Sequence, residues 1–390
     1  MILDKKKGLD IINTILFVIS PFLAVFTILR SVCEKTRFSI VFYSFFVSYV
    51  SLLYLPAEEM DKMRHIEFYE SLKGESLISW LIFQLDTSPD FLFNITLFIG
   101  SINDIKKGYI FFLITFITIF LVLKVFSHFS VNYLRNSSYS VFIGLLFLFS
   151  FSYIDVLSGM RYTLALSLVF YGFYFGTIEN KKRYLFLSLL GVFTHFSVLF
   201  LVLVSFSCLF ISKIDVSKLK LFLLFSFLFY LIPQIDFLLV FKNFGLNDAL
   251  DQKVDAYIGK ELQLDLGNSF GYYFIELTKN IWVYFLIILV FLDSSKNNVF
   301  HKNVILFLTF LNFFISFPLV YDRYLLFVKY ICVFYILTSN SNFFSRKINV
   351  IFIFLFFYMI IFMNNLIVMR DGMSEVFFNI ENWFLFNILI

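Results

Sequence analysis

Charge is scarce in this sequence. Asp, Glu, Lys and Arg together make up 15% of its 390 residues, and no long hydrophilic stretch interrupts it. That excludes an appended soluble module, and the scattered basic residues form no continuous face for nucleic acid. Cysteine is sparse as well. Cys33, Cys208 and Cys332 lack metal-type spacing, and two of them lie in apolar runs, which argues against a disulfide framework. No GxxxxGK[ST] phosphate loop occurs, so the chain is no self-contained ATPase. No HExxH motif or Cys/His cluster marks a metal site, and nothing resembles a serine nucleophile elbow. The expectation is therefore no metal and no cofactor. The apolar runs are continuous, not alternating, which excludes a β-barrel. The first run is too long for a cleavable signal peptide and lacks a small-residue cleavage site.

What the sequence has is hydrophobic length, repeated. Hydrophobic residues reach 60% and phenylalanine alone numbers 61, more than the core of a soluble domain this size accommodates. Apolar segments fall at 9–29, 37–55, 77–99, 108–126, 139–157, 161–178, 184–210, 219–240, 272–292, 304–320, 324–339 and 350–368. About 20 helical residues cross the hydrocarbon of a bilayer. The fold class expected is all-α: a polytopic transmembrane helical bundle of roughly 10–12 membrane segments, forming one integral domain over 1–390. The expected location is the bacterial inner (cytoplasmic) membrane, with multiple passes.

Two segments break the pattern. The 77–99 run contains Asp86, Ser88, Pro89 and Asp90, and the 184–210 run carries His195 near its middle. The tight basic link Glu179-Asn180-Lys181-Lys182-Arg183 belongs in the cytoplasm, as do Arg346-Lys347, Lys124 to Arg135 and Lys213 to Lys220. All four fit if 184–210 runs out to His195 and returns as two half-helices. Such broken elements are tolerated where they line protein or a cavity. The alternative is one long tilted helix, with the charge rule failing somewhere. The same logic makes 77–99 re-entrant and puts 56–76 and 241–271 outside, in periplasmic loops. Lys106 and Lys107 then lie outside, against the rule. In the 241–271 loop, Leu246, Leu250, Val254 and Tyr257 recur at helical spacing, which predicts a short amphipathic helix.

Several polar residues stand out against this background. Arg161 opens an apolar helix after Ser158-Gly159-Met160 and suits either snorkelling to headgroups or a bidentate grip on a diphosphate. His195 sits among apolar residues, where a neutral cross-helix bond and proton transfer are both open. Asp322-Arg323, at the outer end of 304–320, reads either as a structural ion pair or as a positioned cation. In the 56–76 loop a helix would bring Asp61 and His65, and also His65 and Tyr69, onto one face.

The stretch Ser158-Gly-Met-Arg161-Tyr-Thr-Leu-Ala165, followed by Lys181-Lys-Arg-Tyr and Phe193-Thr-His195-Phe-Ser197, resembles the EpsG-type branch of the Wzy polysaccharide polymerases. Asp61, Arg64 and Tyr69 resemble that family's early external element, and Tyr321-Asp322-Arg323-Tyr324 its later Arg-bearing segment. The likeness implies a membrane glycosyltransferase that joins undecaprenyl-diphosphate-linked oligosaccharide repeat units on the periplasmic side, making O antigen, capsule or exopolysaccharide. It implies a flippase and a chain-length regulator as partners, and membrane lipids as surroundings. Arg161 and Arg323 would hold the diphosphate, and His195 or Asp61 would activate the acceptor hydroxyl. Arg64, His65, Tyr69, Asp322, Lys253 and Tyr257 complete the expected diphosphate- and sugar-binding set. The alternatives are a lipid-linked oligosaccharide flippase or transporter, for which two similar halves are expected but not seen, and an O-antigen ligase, which carries a larger external loop.

Overall fold

The computed structural model describes residues 2–34, 38–58, 60–87, 90–133, 140–231, 270–293, 299–315, 317–338 and 347–383. The fold is an all-α helical bundle, and no strand occurs among the described residues. The chain divides into two compact units, one formed by residues 1–82, 89–203 and 348–390, the other by 83–88 and 204–347.

The first unit begins with α1 (Ile2–Ile19), α2 (Pro21–Glu34) and α3 (Ser39–Leu53). Proline at the first position of α2 has no N–H to leave unsatisfied. The short α4 (Asp61–Ser71) follows, then α5 (Leu77–Thr87), which runs across the boundary at 82, α6 (Phe91–Ile102) and the long α7 (Lys107–Tyr133). Next come α8 (Ser140–Phe149), α9 (Tyr153–Leu157), α10 (Met160–Phe173) and α11 (Leu185–Thr194). After α12 (Leu199–Ser207), which runs across the boundary, the first unit resumes only with α17 (Lys347–Val368) and α18 (Arg370–Phe378). The second unit holds α13 (Val216–Ser226), α14 (Phe270–Leu292), α15 (Val299–Phe313) and α16 (Pro318–Thr338).

Helices occupy the expected segments with three departures: 9–29 is divided at Ser20 between α1 and α2, 139–157 is divided at 150–152 between α8 and α9, and one boundary moves. The 304–320 segment ends early, at Phe313, and α16 starts at Pro318. Proline favours the first turn of a helix, so Asp322 and Arg323 belong to α16 and do not close the preceding helix. The predicted 241–271 loop helix lies almost wholly outside the described residues.

Apolar side chains cover the outside as well as the inside. On α17, Val350, Ile351, Phe354, Tyr358 and Ile361 are buried, whereas Phe352, Phe356, Met359, Met363 and Ile367 are exposed. A helix hydrophobic all round belongs either to a core or to a bilayer, and here half of it faces out. Ile78, Phe186, Phe193 and Phe222 are also more than half exposed. Lys107–Asn132 and Asn349–Val368, at 26 and 20 residues, are long and apolar enough to cross. This is the surface of a membrane protein.

Helix α10 lies at the heart of the first unit, packed between α7 and α11. Its seam with α11 is made of small residues. A Cβ on Gly172 would fall 2.2 Å from Ser188 Oγ and 2.8 Å from the Tyr184 carbonyl, and one on Gly191 would fall 2.9 Å from the Ala165 carbonyl. Backbones can approach this closely only without side chains, and in a bilayer such contact is a main source of helix association. The two helices are joined by a π turn, Tyr174–Ile178, and by Asn180 in the left-handed region at φ 54°. Asn is among the few residues that adopt it readily. They form a hairpin: the start of α10 and the end of α11 share one end, and Lys181-Lys182-Arg183 the other.

Helix α4 is held from below by a buried lysine. Lys62 is 2% exposed, and its Nζ donates to the carbonyls of Ser51 at 2.6 Å and Tyr54 at 2.5 Å. These carbonyls lie at the C-terminal end of α3, where acceptors lack helical partners and the dipole favours a cation. Burial pushes the Lys62 amine down to about 7. Above it, Ile66 and Tyr69 of α4 and Leu72 just after it join Trp80, Phe93, Leu97, Phe98, Phe111 and Met160 in one cluster.

In the second unit a carboxylate gathers the helix ends. Asp293 Oδ2 lies 2.9 Å from His301 Nδ1 and accepts the Tyr335 hydroxyl at 3.0 Å, while Lys220 Nζ donates to the Asp293 carbonyl at 2.8 Å. Asn312 Nδ2 donates to Ser226 Oγ at 2.9 Å, tying α15 to α13.

Gly172→Val should force α10 and α11 apart at a point remote from Arg161. A loss of about 1–3 kcal/mol is expected from such overpacking, seen as a lower midpoint in thermal unfolding of the detergent-purified protein. An unchanged midpoint would show that the seam is not tight.

Candidate functional site

Three interruptions in the helices of the first unit bring their polar residues together. The chain breaks before α6, at Asp90; before α10, at Ser158-Gly159; and after α11, at His195, whose backbone is extended at φ −156°, ψ 113°. The breaks at 77–99 and 184–210 were expected from their polar punctuation. That they are bonded to each other was not.

Asp90 links them. It precedes the first residue of α6, where an aspartate commonly caps its own helix, yet it makes no such bond. Its Oδ1 accepts the backbone N–H of Phe196 at 2.9 Å. That N–H opens the short helical turn Phe196–Val198, where donors lack intrahelical partners, so Asp90 caps a different segment of chain. Its Oδ2 lies 3.1 Å from His195 Nδ1 and 2.9 Å from Arg161 Nη1. A carboxylate 1% exposed is costly unless its lone pairs are met and its charge is balanced. Here a backbone amide, an imidazole and a guanidinium meet it.

Each partner is held by its own element. Met160 is fully buried in the aromatic cluster and fixes the first turn of α10 just before Arg161. At Gly159 a Cβ would come within 3.2 Å of the Asp155 carbonyl, so glycine lets α9 and α10 join tightly. Helix α6 packs against α11, which brings Asp90 to His195. The ring of Tyr162 stands edge-on to His195, with centroids 5.8 Å apart. Exposure rises outward: 1% for the Asp90 side chain, 11% for His195 and 29% for Arg161.

His65 comes to the same neighbourhood from α4. It is 8% exposed, with its ring centroid 4.7 Å from that of Phe93. Burial, reinforced by the positive charge of Arg161, pushes its pKa down to about 4, with Asp61 opposing. At neutral pH His65 is therefore an uncharged hydrogen-bonding group. Asp61 and Arg64, one turn away, form an exposed ion pair with each other. Tyr69, expected to meet a sugar, is 2% exposed instead; its hydroxyl donates to the Ile105 carbonyl and its own carbonyl accepts Ser101 Oγ at 3.0 Å. It fastens α4 to α6. Asp322 and Arg323 are half-buried on α16 in the second unit. Lys253 and Tyr257 lie outside the described residues.

Asp90 is the residue that reading the sequence for chemistry missed. In the sequence it stands only as punctuation in 77–99. The signal was there: an acid at the break of an apolar run is expensive unless something answers it. Among the described residues no group of three or more His, Cys, Asp and Glu side chains is disposed to hold a metal ion.

Chemically, the arrangement pairs a base with a cation. With Nδ1–H directed at Asp90, the second ring nitrogen of His195 carries the lone pair that can take a proton. Arg161, on the same carboxylate, offers a planar fork suited to phosphate oxygens. Both stand at the end of the α10–α11 hairpin away from Lys181-Lys182-Arg183, about 20 Å along α10 at 1.5 Å per residue.

The fold and this cluster define a helical membrane protein with a buried carboxylate–imidazole–guanidinium site. The EpsG family profile matches residues 59–380, and the chain belongs to the EpsG family. Its general function is thereby that of a glycosyltransferase-like polysaccharide polymerase. No curated protein and no solved structure matches it.

The depressed pKa of His65 fixes the sign of a pH effect. The unfolded chain takes up a proton near pH 6.5 and the folded protein only near 4. Stability is therefore full above about 6.5 and falls as pH drops toward 4, by on the order of 3 kcal/mol. The thermal midpoint should decline between pH 7 and 5, and His65→Leu should flatten that decline. Equal slopes for the two proteins would show that His65 is not buried in its neutral form.

Proposed function

We propose that this protein polymerises undecaprenyl-diphosphate-linked oligosaccharide repeat units on the periplasmic face of the bacterial inner membrane, which it crosses several times. The observation that carries this reading is the Asp90-held imidazole of His195 beside the outward guanidinium of Arg161. The basic turn at the far end of the same hairpin supports the orientation, since such turns favour the cytoplasm.

In the reaction the growing glycan is the donor. Its reducing-end anomeric carbon is bonded to the lipid diphosphate. A hydroxyl on the non-reducing sugar of an incoming unit attacks that carbon. A C–O bond forms, the C–O bond to the diphosphate breaks, and undecaprenyl diphosphate leaves with the electron pair. His195 accepts the hydroxyl proton and later releases it to water. Arg161 stabilises the charge gathering on the departing diphosphate. The diphosphate bond supplies the driving force, so no nucleotide is consumed. Asp61 is the alternative base, but its exposed pairing with Arg64 favours His195. Arg323 is proposed as a further contact for lipid-linked diphosphate. A flippase that delivers the units and a chain-length regulator are the expected partners.

Deletion of the gene in its native host should collapse a surface-glycan ladder to core plus a single repeat, with restoration on complementation. Loss of even the single repeat would point instead to a flippase or a ligase, and an unchanged ladder would redirect the search to capsule or exopolysaccharide. In the complemented strain, Arg161→Gln and His195→Gln should each cut chain extension by at least about 100-fold at equal protein level. Arg323→Gln is tested alongside, and a normal ladder from any of the three removes that residue from the set.

A further inference from the structure

The buried face of α4 carries three polar side chains, Lys62, His65 and Tyr69, and two of them are answered by backbone. Lys62 donates to the Ser51 and Tyr54 carbonyls, and the Tyr69 hydroxyl donates to the Ile105 carbonyl. His65 lies between them, 8% exposed, and neither of its ring nitrogens meets a hydrogen-bond partner among the described residues. A polar group so deeply buried is ordinarily met, and an unmet one calls for an explanation. The helix that carries it is pinned on both sides, by Lys62 and by Tyr69, and Phe93 backs the ring with centroids 4.7 Å apart. The imidazole is thus held in place with its polar edge unused, in the neighbourhood of Arg161.

The electrostatics narrow the kind of ligand. Burial first, and then the positive charge of Arg161, keep the ring uncharged at neutral pH. An uncharged imidazole offers one N–H and one lone pair. It brings no charge to a phosphate, for which the guanidinium of Arg161 is the better partner. A hydroxyl both donates and accepts, so it matches either ring nitrogen. A lipid-linked repeat unit consists of a hydrocarbon chain, a diphosphate and sugars, and of these only the sugars carry hydroxyls. The sugar bonded to the diphosphate is the one that arrives beside Arg161 when that residue holds the phosphates. We infer that His65 binds a hydroxyl of this first sugar, so that the neutral ring reads the sugar while Arg161 holds the diphosphate. The ligand named here rests on the polymerase reading. The contact satisfies the imidazole only when a sugar is present, which makes it a source of selectivity: a site built to bond a hydroxyl discriminates against a ligand that lacks it.

The test uses the full-length protein in vesicles and two probes: undecaprenyl diphosphate, and the same lipid diphosphate carrying the first sugar of the repeat unit. The wild type should bind the sugar-bearing probe about tenfold more tightly, the size of one well-made hydrogen bond in a buried site. His65→Phe keeps a flat ring against Phe93 and removes both nitrogens. It should abolish that preference by weakening the sugar-bearing probe about tenfold, while the affinity for undecaprenyl diphosphate stays unchanged and reports an intact fold. His65→Leu also removes both nitrogens, must act in the same direction, and covers the case in which His65→Phe fails to fold. His65→Gln restores an uncharged donor and acceptor and should recover part of the preference. Equal weakening of both probes in both nitrogen-free variants overturns the contact, because a phosphate ligand or a purely structural role would act on both alike. Unchanged affinity for the sugar-bearing probe in a folded variant overturns it too. A lost preference in a protein whose wild type makes no polymer supports the sugar contact and sinks the polymerase reading instead. Normal polymer, with both affinities unchanged in His65→Phe, keeps the polymerase reading and sinks the contact.

Discussion

A carboxylate removed from water must be answered, and the first unit of this protein is arranged around one that is. Asp90 is 1% exposed, and its charge would be prohibitive in a mostly apolar interior without partners. The partners come from two stretches of chain: the histidine at the break after α11 with the amide that follows it, and the arginine of α10. None of these can move far without stranding the charge. The same requirement explains why α6 starts and α11 stops where they do. An unbroken helix at either place would have spent its backbone amides internally and presented no donor or cap.

Other polar contacts repeat this logic on a smaller scale. Lys62 ends α3 by donating to two carbonyls that the helix itself leaves unmet. The Tyr69 hydroxyl closes on Ile105. In the second unit Asp293 draws together His301 and Tyr335. In a chain with 15% charged residues, these buried polar groups meet their partners near helix ends, where backbone groups run out of partners.

The architecture was largely legible in the sequence because hydrophobic length is a coarse signal that tertiary packing does not disguise. Nearly every apolar run became a helix, and the polar punctuation in 77–99 and 184–210 marked real breaks. Arg161 and His195 were legible for a similar reason: a charged or titratable residue in an apolar run stands out. Asp90 was not, because its significance lies in a partner 105 residues away, and no local pattern encodes that distance. Tyr69 was misjudged because an aromatic ring on an amphipathic helix looks the same whether it faces a sugar or a neighbouring helix. The start of α16 was misplaced because an apolar stretch running from Val304 to Tyr321 hides the turn that Pro318 imposes.

The small-residue seam between α10 and α11 also limits how this chain can change in length. Gly172 and Gly191 set the two backbones in one register, with contacts too close to slide. Each residue of an α-helix turns it by about 100°. A single insertion or deletion between Arg161 and the Gly172 contact, or between Gly191 and His195, would swing one of the two side chains to another face and away from Asp90. Length variation within this hairpin is tolerable only in the exposed turn around Asn180 and Lys181. Related chains should therefore differ freely in that turn while keeping the number of residues on either side constant, whatever the identity of those residues.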